Sequence, residues 1–178
     1  MLSEKMQDAL NRQINAELYS AYLYASMAAW FQSVGLRGCA GWMSVQTREE
    51  TFHAMKFFNF VQERNGVVKL TALDAPPAAW ESPLAAFKDA YQHELKVTGL
   101  INSLVDLALA ESDHASNIFL QWFVTEQVEE EASVDEVVQQ LKLVGEAGPG
   151  LFMIDKDLGA RQLGPLVSAA LTGAPAPA

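Results

Sequence analysis

Apolar residues recur at intervals of three and four along most of the chain and resolve into four long stripes. The first reads Leu10, Ile14, Glu17, Ala21, Tyr24, Ala28, Phe31, and the second Met43, Thr47, Glu50, His53, Phe57, Val61. The third reads Phe87, Tyr91, Glu94, Val97, Ile101, Leu104, Ala108, and the fourth Leu120, Phe123, Gln127, Glu130, Val134, Val137, Leu141. That period turns each set toward one face of an α-helix. Punctuation sets the bounds. Ser3 is a natural N-cap for a first helix reaching about residue 33, and Gly35 suits the left-handed position after it. A second helix runs from about 37 to 65–66. Ser82 followed by Pro83 opens a third, which ends near 111, and Asp113 can cap a fourth that continues to about 144. Gly145, Pro149 and Gly150 interrupt the pattern, and residues 151–161 read as a short fifth helix. From Gly164 the residues are small and apolar and end in Ala-Pro-Ala-Pro-Ala, so residues 164–178 are expected to be a poorly ordered tail behind a bundle domain over 1–163.

Connection lengths give the topology. A few residues join the first helix to the second and the third to the fourth, so each pair is expected to be an antiparallel hairpin. Residues 67–82 lose the helical period and contain Asp74, Pro76 and Pro77. An extended segment of that size spans roughly 60 Å, whereas a helix of about 28 residues is only about 42 Å long. The connection can therefore cross the full bundle and leave the second and third helices parallel. The expected fold is all-α: a four-helix bundle of two antiparallel hairpins with one long crossover, plus a short C-terminal fifth helix.

Composition narrows the function. The 178 residues have the length of one domain with a sizeable core. Residues 18–36 carry no charge, but they include Ser20, Ser26, Gln32, Ser33 and three tyrosines, which suits a buried core helix and not a membrane span. The N-terminus lacks the basic and apolar regions of a secretion signal. A formal charge of −10 argues against nucleic acid as a partner and suits a protein that attracts cations. A single cysteine, Cys39, excludes both an internal disulfide framework and a Cys₄ metal site.

The acids inside the stripes carry the chemistry. A carboxylate buried alone is very costly, so buried charges are normally paired or bound to metal. Glu17, Glu50, Glu94 and Glu130 together carry four negative charges, which two divalent cations would neutralise. Glu50-Thr-Phe-His53 places a carboxylate and an imidazole at i and i+3 on one helix face, where both can reach one ion. Gln127 and Glu130 repeat the interval. A glutamate from each of two helices with an i,i+3 pair from each of the others is the arrangement of ferritin-like di-iron bundles. Mixed carboxylate and imidazole donors suit iron or manganese.

Several fragments resemble the bacterial non-haem ferritins over nearly the whole length: Asn15-Ala-Glu-Leu-Tyr-Ser20, Glu49-Glu50-Thr-Phe-His53, His93-Glu94, Ile154-Asp-Lys-Asp-Leu158 and, most specifically, the run from Phe119 to Glu131. The resemblance implies a cytoplasmic, homo-oligomeric shell of about 24 subunits that oxidises Fe(II) with O2 or H2O2 and stores it as a ferric mineral. It implies that Glu17, Glu50 and His53 hold a first iron, and that Glu50 bridges to a second held by Glu94 and Glu130. Gln127 would be a weak ligand or a hydrogen-bond donor there, and Tyr24 a redox-capable tyrosine or an ordinary core phenol. Glu49, Glu126 and Glu129, with Glu130, resemble a third iron site; the alternative is a solvated acidic face. His93 and His114 are expected at the surface. Thr51 stands where haem-binding relatives carry a ligating methionine, so no haem is expected. A di-iron peroxidase without storage is the alternative enzyme, and a structural bundle the non-catalytic one.

Overall fold

In the computed structural model, which describes residues 2–145 and 148–172, six helices follow in order: α1 Glu4–Ser33, α2 Arg37–Glu63, α3 Pro83–Ala110, α4 His114–Val144, α5 Gly148–Leu158 and α6 Pro165–Thr172. The expected caps form. Ser3, Ser82 and Asp113 each accept a hydrogen bond from a backbone N–H in the first turn of α1, α3 and α4, and Pro83 begins α3. Gly35 takes φ +85°, which lets the Leu36 N–H return to the Phe31 carbonyl at 3.0 Å and closes α1.

The crossover lies along α1. Val67 and Lys69 hydrogen-bond the side chains of Gln7 and Asn11, Thr71 and Ala72 accept from Asn15, Pro77 accepts from Ser26, and Trp80 packs on Trp30. From Gln7 to Trp30 is about 35 Å of helix at 1.5 Å per residue. The connection therefore traverses the bundle, and α2 and α3 run parallel. Arg64, just past α2, donates to Asp113 at the start of α4 at 3.1 Å, so these two helices are antiparallel. The topology is the one the loop lengths predict.

Two hydrophobic clusters fill the bundle. One gathers Met27, Phe31, Trp42, Met43, Phe87, Val134 and Leu141; the other gathers Leu10, Ile14, Phe57, Val61, Ile101, Leu120 and Phe123. Each long helix passes from one cluster to the other, and at the changeover it contributes its stripe glutamate. The buried acids thus form one polar layer across the core.

Two expectations are revised at the C-terminal end. α5 starts at Gly148 instead of 151, because Pro149 fits the first turn of a helix, where its missing N–H costs nothing. Of the segment expected to be a poorly ordered tail, Pro165–Thr172 is helix α6, with Val167 and Ala169 buried. Pro165 opens that helix and its apolar side packs against α2; residues 173–178 lie outside the described residues.

Candidate metal centre

Glu17, Glu50, His53, Glu94, Gln127 and Glu130 are all at most 5% exposed. Donor atoms of Glu17, Glu50 and His53 lie within 4.8 Å of one another, and those of His53, Glu126 and Glu130 form a second such cluster. His53 belongs to both because a ring nitrogen points each way, Nδ1 3.5 Å from Glu50 and Nε2 3.9 Å from Glu126, and the neutral ring gives its one lone pair to one side at a time.

Neighbouring side chains orient the acids. Gln13 donates to Glu17 at 2.8 Å, and Gln46 to Glu130 at 2.7 Å. The Tyr24 hydroxyl donates to Glu94. The Gln127 amide donates to Glu94 and to Thr98, each at 3.3 Å. Gln13 and Gln46 escaped the sequence reading, although each lies four residues before a stripe glutamate. Gln46 is fully buried, while Thr47, placed on the stripe instead, is only half-buried and bonds its own helix.

The electrostatics are those of a site built for cations. Burial pushes Glu17 up to about 7, with Glu94 repelling it and a Gln13 hydrogen bond opposing the rise. Burial and then the Glu94 charge push Glu130 up to about 8. Glu50 rises well above the carboxylate range through burial and the charges of Glu94, Glu17 and Glu130, and Glu94 rises through burial. Burial, with help from Lys56, holds His53 down to about 3, so the imidazole is neutral and has a lone pair to give. The Tyr24 phenol is held protonated, first by burial and then by Glu94. Glu17 Oε2 and His53 Nε2 are buried with no hydrogen-bond partner. Buried polar atoms normally have partners, and a lone carboxylate oxygen beside a neutral imidazole and crowded carboxyls is what a divalent cation satisfies.

The outlying acids differ among themselves. Glu49 is buried, Glu126 half-buried and Glu129 exposed. Glu126 joins the second cluster, whereas Glu49 and Glu129 enter neither. Glu49 instead pairs with Arg161 at 2.7 Å and accepts from the Gly164 N–H at 3.4 Å. His114 is exposed, as expected. His93 is not a surface residue: it is half-buried, its Nε2 lies 2.7 Å from Ser20 Oγ, and its ring packs against Tyr19 and Tyr24. Being one position from Glu94 leaves it at the α1–α3 seam.

Comparison with known proteins places this geometry. The model of the ferritin-like domain family matches residues 7–144. A bacterial non-heme ferritin of Bacteroides fragilis (strain 638R) is 44% identical over 161 residues, covering 90% of this chain and 100% of that protein. One of Escherichia coli O157:H7 is 35% identical over 158 residues, covering 89% of this chain and 96% of the relative. A crystal structure of an open-pore ferritin from the hyperthermophilic archaeon Archaeoglobus fulgidus is 57% identical with a TM-score of 0.90, covering 91% of this chain and 100% of that one.

Proposed function

The chain belongs to the ferritin family, and from that premise we propose that it oxidises Fe(II) at a di-iron centre within each subunit and stores the product as a ferric mineral. The observation that carries the reading is the buried cluster of Glu17, Glu50 and His53, with a neutral imidazole and with Glu17 Oε2 and His53 Nε2 both lacking a hydrogen-bond partner. Glu17, Glu50 and His53 would take one ferrous ion. Glu50, on which the charges of Glu94, Glu17 and Glu130 all act, would bridge to a second on Glu94 and Glu130, with Gln127 holding Glu94 in place. Each ferrous ion gives up one electron, and dioxygen accepts two electrons and two protons and leaves as hydrogen peroxide. Peroxide can serve as the oxidant instead, taking two electrons and two protons to become two waters. Burial and mutual repulsion raise the proton affinity of all four carboxyls, so iron binding releases the protons they hold and replaces repulsion with attraction.

The wider reading is a homo-oligomeric shell of about 24 subunits in the cytoplasm. No helix among the described residues is long and apolar enough to cross a membrane. This reading includes no haem, because Thr51 stands where haem-binding relatives carry a ligating methionine.

Stopped-flow mixing of iron-free protein with Fe(II) and oxygen tests the centre. Glu50→Ala should abolish fast oxidation while the protein still folds and assembles; a rate equal to the parent's removes Glu50 from the chemistry. Gel filtration with iron analysis tests storage. A large particle retaining many irons per subunit supports it, and a dimer retaining two points to the peroxidase.

A further inference from the structure

Beyond α5 the chain turns back onto α2 beside the metal centre. Its docking is tight: Gly38 meets the backbone of Asp155, and the Cys39 N–H donates to the Asp155 carboxylate at 2.8 Å. Arg161 follows, with its guanidinium 4.2 Å from the Trp42 ring centroid and Nη2 2.7 Å from Glu49 Oε2. The Gly164 N–H then reaches the other Glu49 oxygen at 3.4 Å, and α6 continues along α2. Both oxygens of Glu49 are engaged by this segment. Arg161 is four-fifths buried, and its charge also lowers the proton affinity of Glu94 and Glu130. It therefore stands within the electrostatic field of the centre.

Next to this ion pair lies a group poised to take over a cation from the di-iron centre, where the Glu49 charge raises the proton affinity of both Glu126 and Glu130. His53 Nε2 is buried, has no hydrogen-bond partner and shares a cluster with Glu126 and Glu130. We propose that Arg161 is a tethered counter-cation that gates the way out of the di-iron centre. An iron moving outward over His53, Glu126 and Glu130 gains Glu49 as a ligand only by displacing the guanidinium. A carboxylate cannot serve both cations at full strength, and an arginine keeps its charge at any working pH. The tether keeps the guanidinium at a high local concentration, so displacement requires a high occupancy of the inner positions by iron. The loop carrying Arg161 then loosens as iron load rises. The inference rests on the ferroxidase reading above, since the iron being metered comes from that centre.

Calorimetric titration of the assembled, metal-free protein with Zn(II), which is redox-inert, measures this without turnover. The parent should take two ions tightly and a third weakly. Arg161→Gln should tighten the third by about tenfold or more, as removing a competing, partly buried charge pair does. Arg161→Lys keeps the charge and should stay near the parent. Adding Glu49→Gln to Arg161→Gln should cancel the gain. An unchanged third affinity in Arg161→Gln, or a gain that survives Glu49→Gln, overturns the gate. An arginine that merely anchored the loop would shift the melting temperature and leave the third ion where it was. If Arg161→Gln does not assemble, Arg161→Lys with and without Glu49→Gln decides: the gate requires Glu49→Gln to weaken the third ion there too, and indifference overturns it. Loss of the two tight ions in the parent would sink the di-iron reading separately, with the Glu49-dependent response still readable.

Discussion

Raising the pH of the iron-free protein from about 6.5 to about 8 should destabilise it, and Glu130 should contribute a share that a single substitution removes. Burial and the nearby Glu94 charge lift its carboxyl from an ordinary 4.5 up to about 8. Across this window the unfolded chain has already lost the Glu130 proton, whereas the folded protein still holds it. The folded state binds more protons, so stability falls as pH rises, and the loss is complete above pH 8. One carboxyl titrating this way over about 1.5 pH units is worth about 2 kcal/mol, at 1.4 kcal/mol per unit. Glu17, lifted only to about 7, adds less than about 1 kcal/mol over the same interval. Glu50 and Glu94 act in the same direction. The window is chosen because His53 and His93, held down to about 3 and about 4, oppose the trend only below about pH 6.5, where the unfolded imidazoles take up protons. For a chain of this length about 2 kcal/mol corresponds to a drop of roughly 4–8 °C in melting temperature. Calorimetric melts of metal-stripped parent and Glu130→Gln, at one protein concentration because assembly contributes, would measure it. The variant should lose the Glu130 share, about 2 kcal/mol over the window, and keep the slope that Glu50, Glu94 and Glu17 supply. A melting temperature that stays level or rises between pH 6.5 and 8, or an equal slope in the variant, would refute the buried-proton account.

Two further outcomes follow from particular contacts. Gln127→Glu combined with Glu130→His would give the second iron an imidazole in place of an amide neighbour, and imidazole is the better donor to Fe(II); the second ion should be retained longer in anaerobic Fe(II) titration, and mineral growth should slow relative to the first oxidation. Gly38→Ala should destabilise by about 1–3 kcal/mol in thermal unfolding, against the usual helical gain from replacing glycine, because the new methyl would sit 1.5 Å from the Asp155 carbonyl oxygen and force α5 off α2.

The four long helices and the acidic layer were legible in the amino-acid sequence because both are local. A stripe residue is identified by neighbours three and four positions away, and a cap by the next few residues, so Ser3, Gly35, Ser82 and Asp113 announced the helix ends without knowledge of the rest of the molecule. Glu17, Glu50, Glu94 and Glu130 stood out for the same reason, as charges on otherwise apolar faces. The crossover was readable because its length leaves few routes. By contrast, α6 lies outside the reading of the sequence because eight residues are too few to hold a helix alone, and the helix is held by its packing on α2.

What only the tertiary structure decided is how the acids are held and charged. The bond from Gln46 to Glu130 spans 84 positions in the chain and that from Arg161 to Glu49 spans 112, and no periodic pattern links such residues. The packing of α1 against α3 likewise turned His93 from an expected surface residue into one wedged between two tyrosines. Proton affinity depends on burial and on charges brought close in space, so identical glutamates along the sequence become different groups in the fold: Glu130 protonated near neutral pH, Glu129 open to water, and Glu49 paired with an arginine from the far end of the chain.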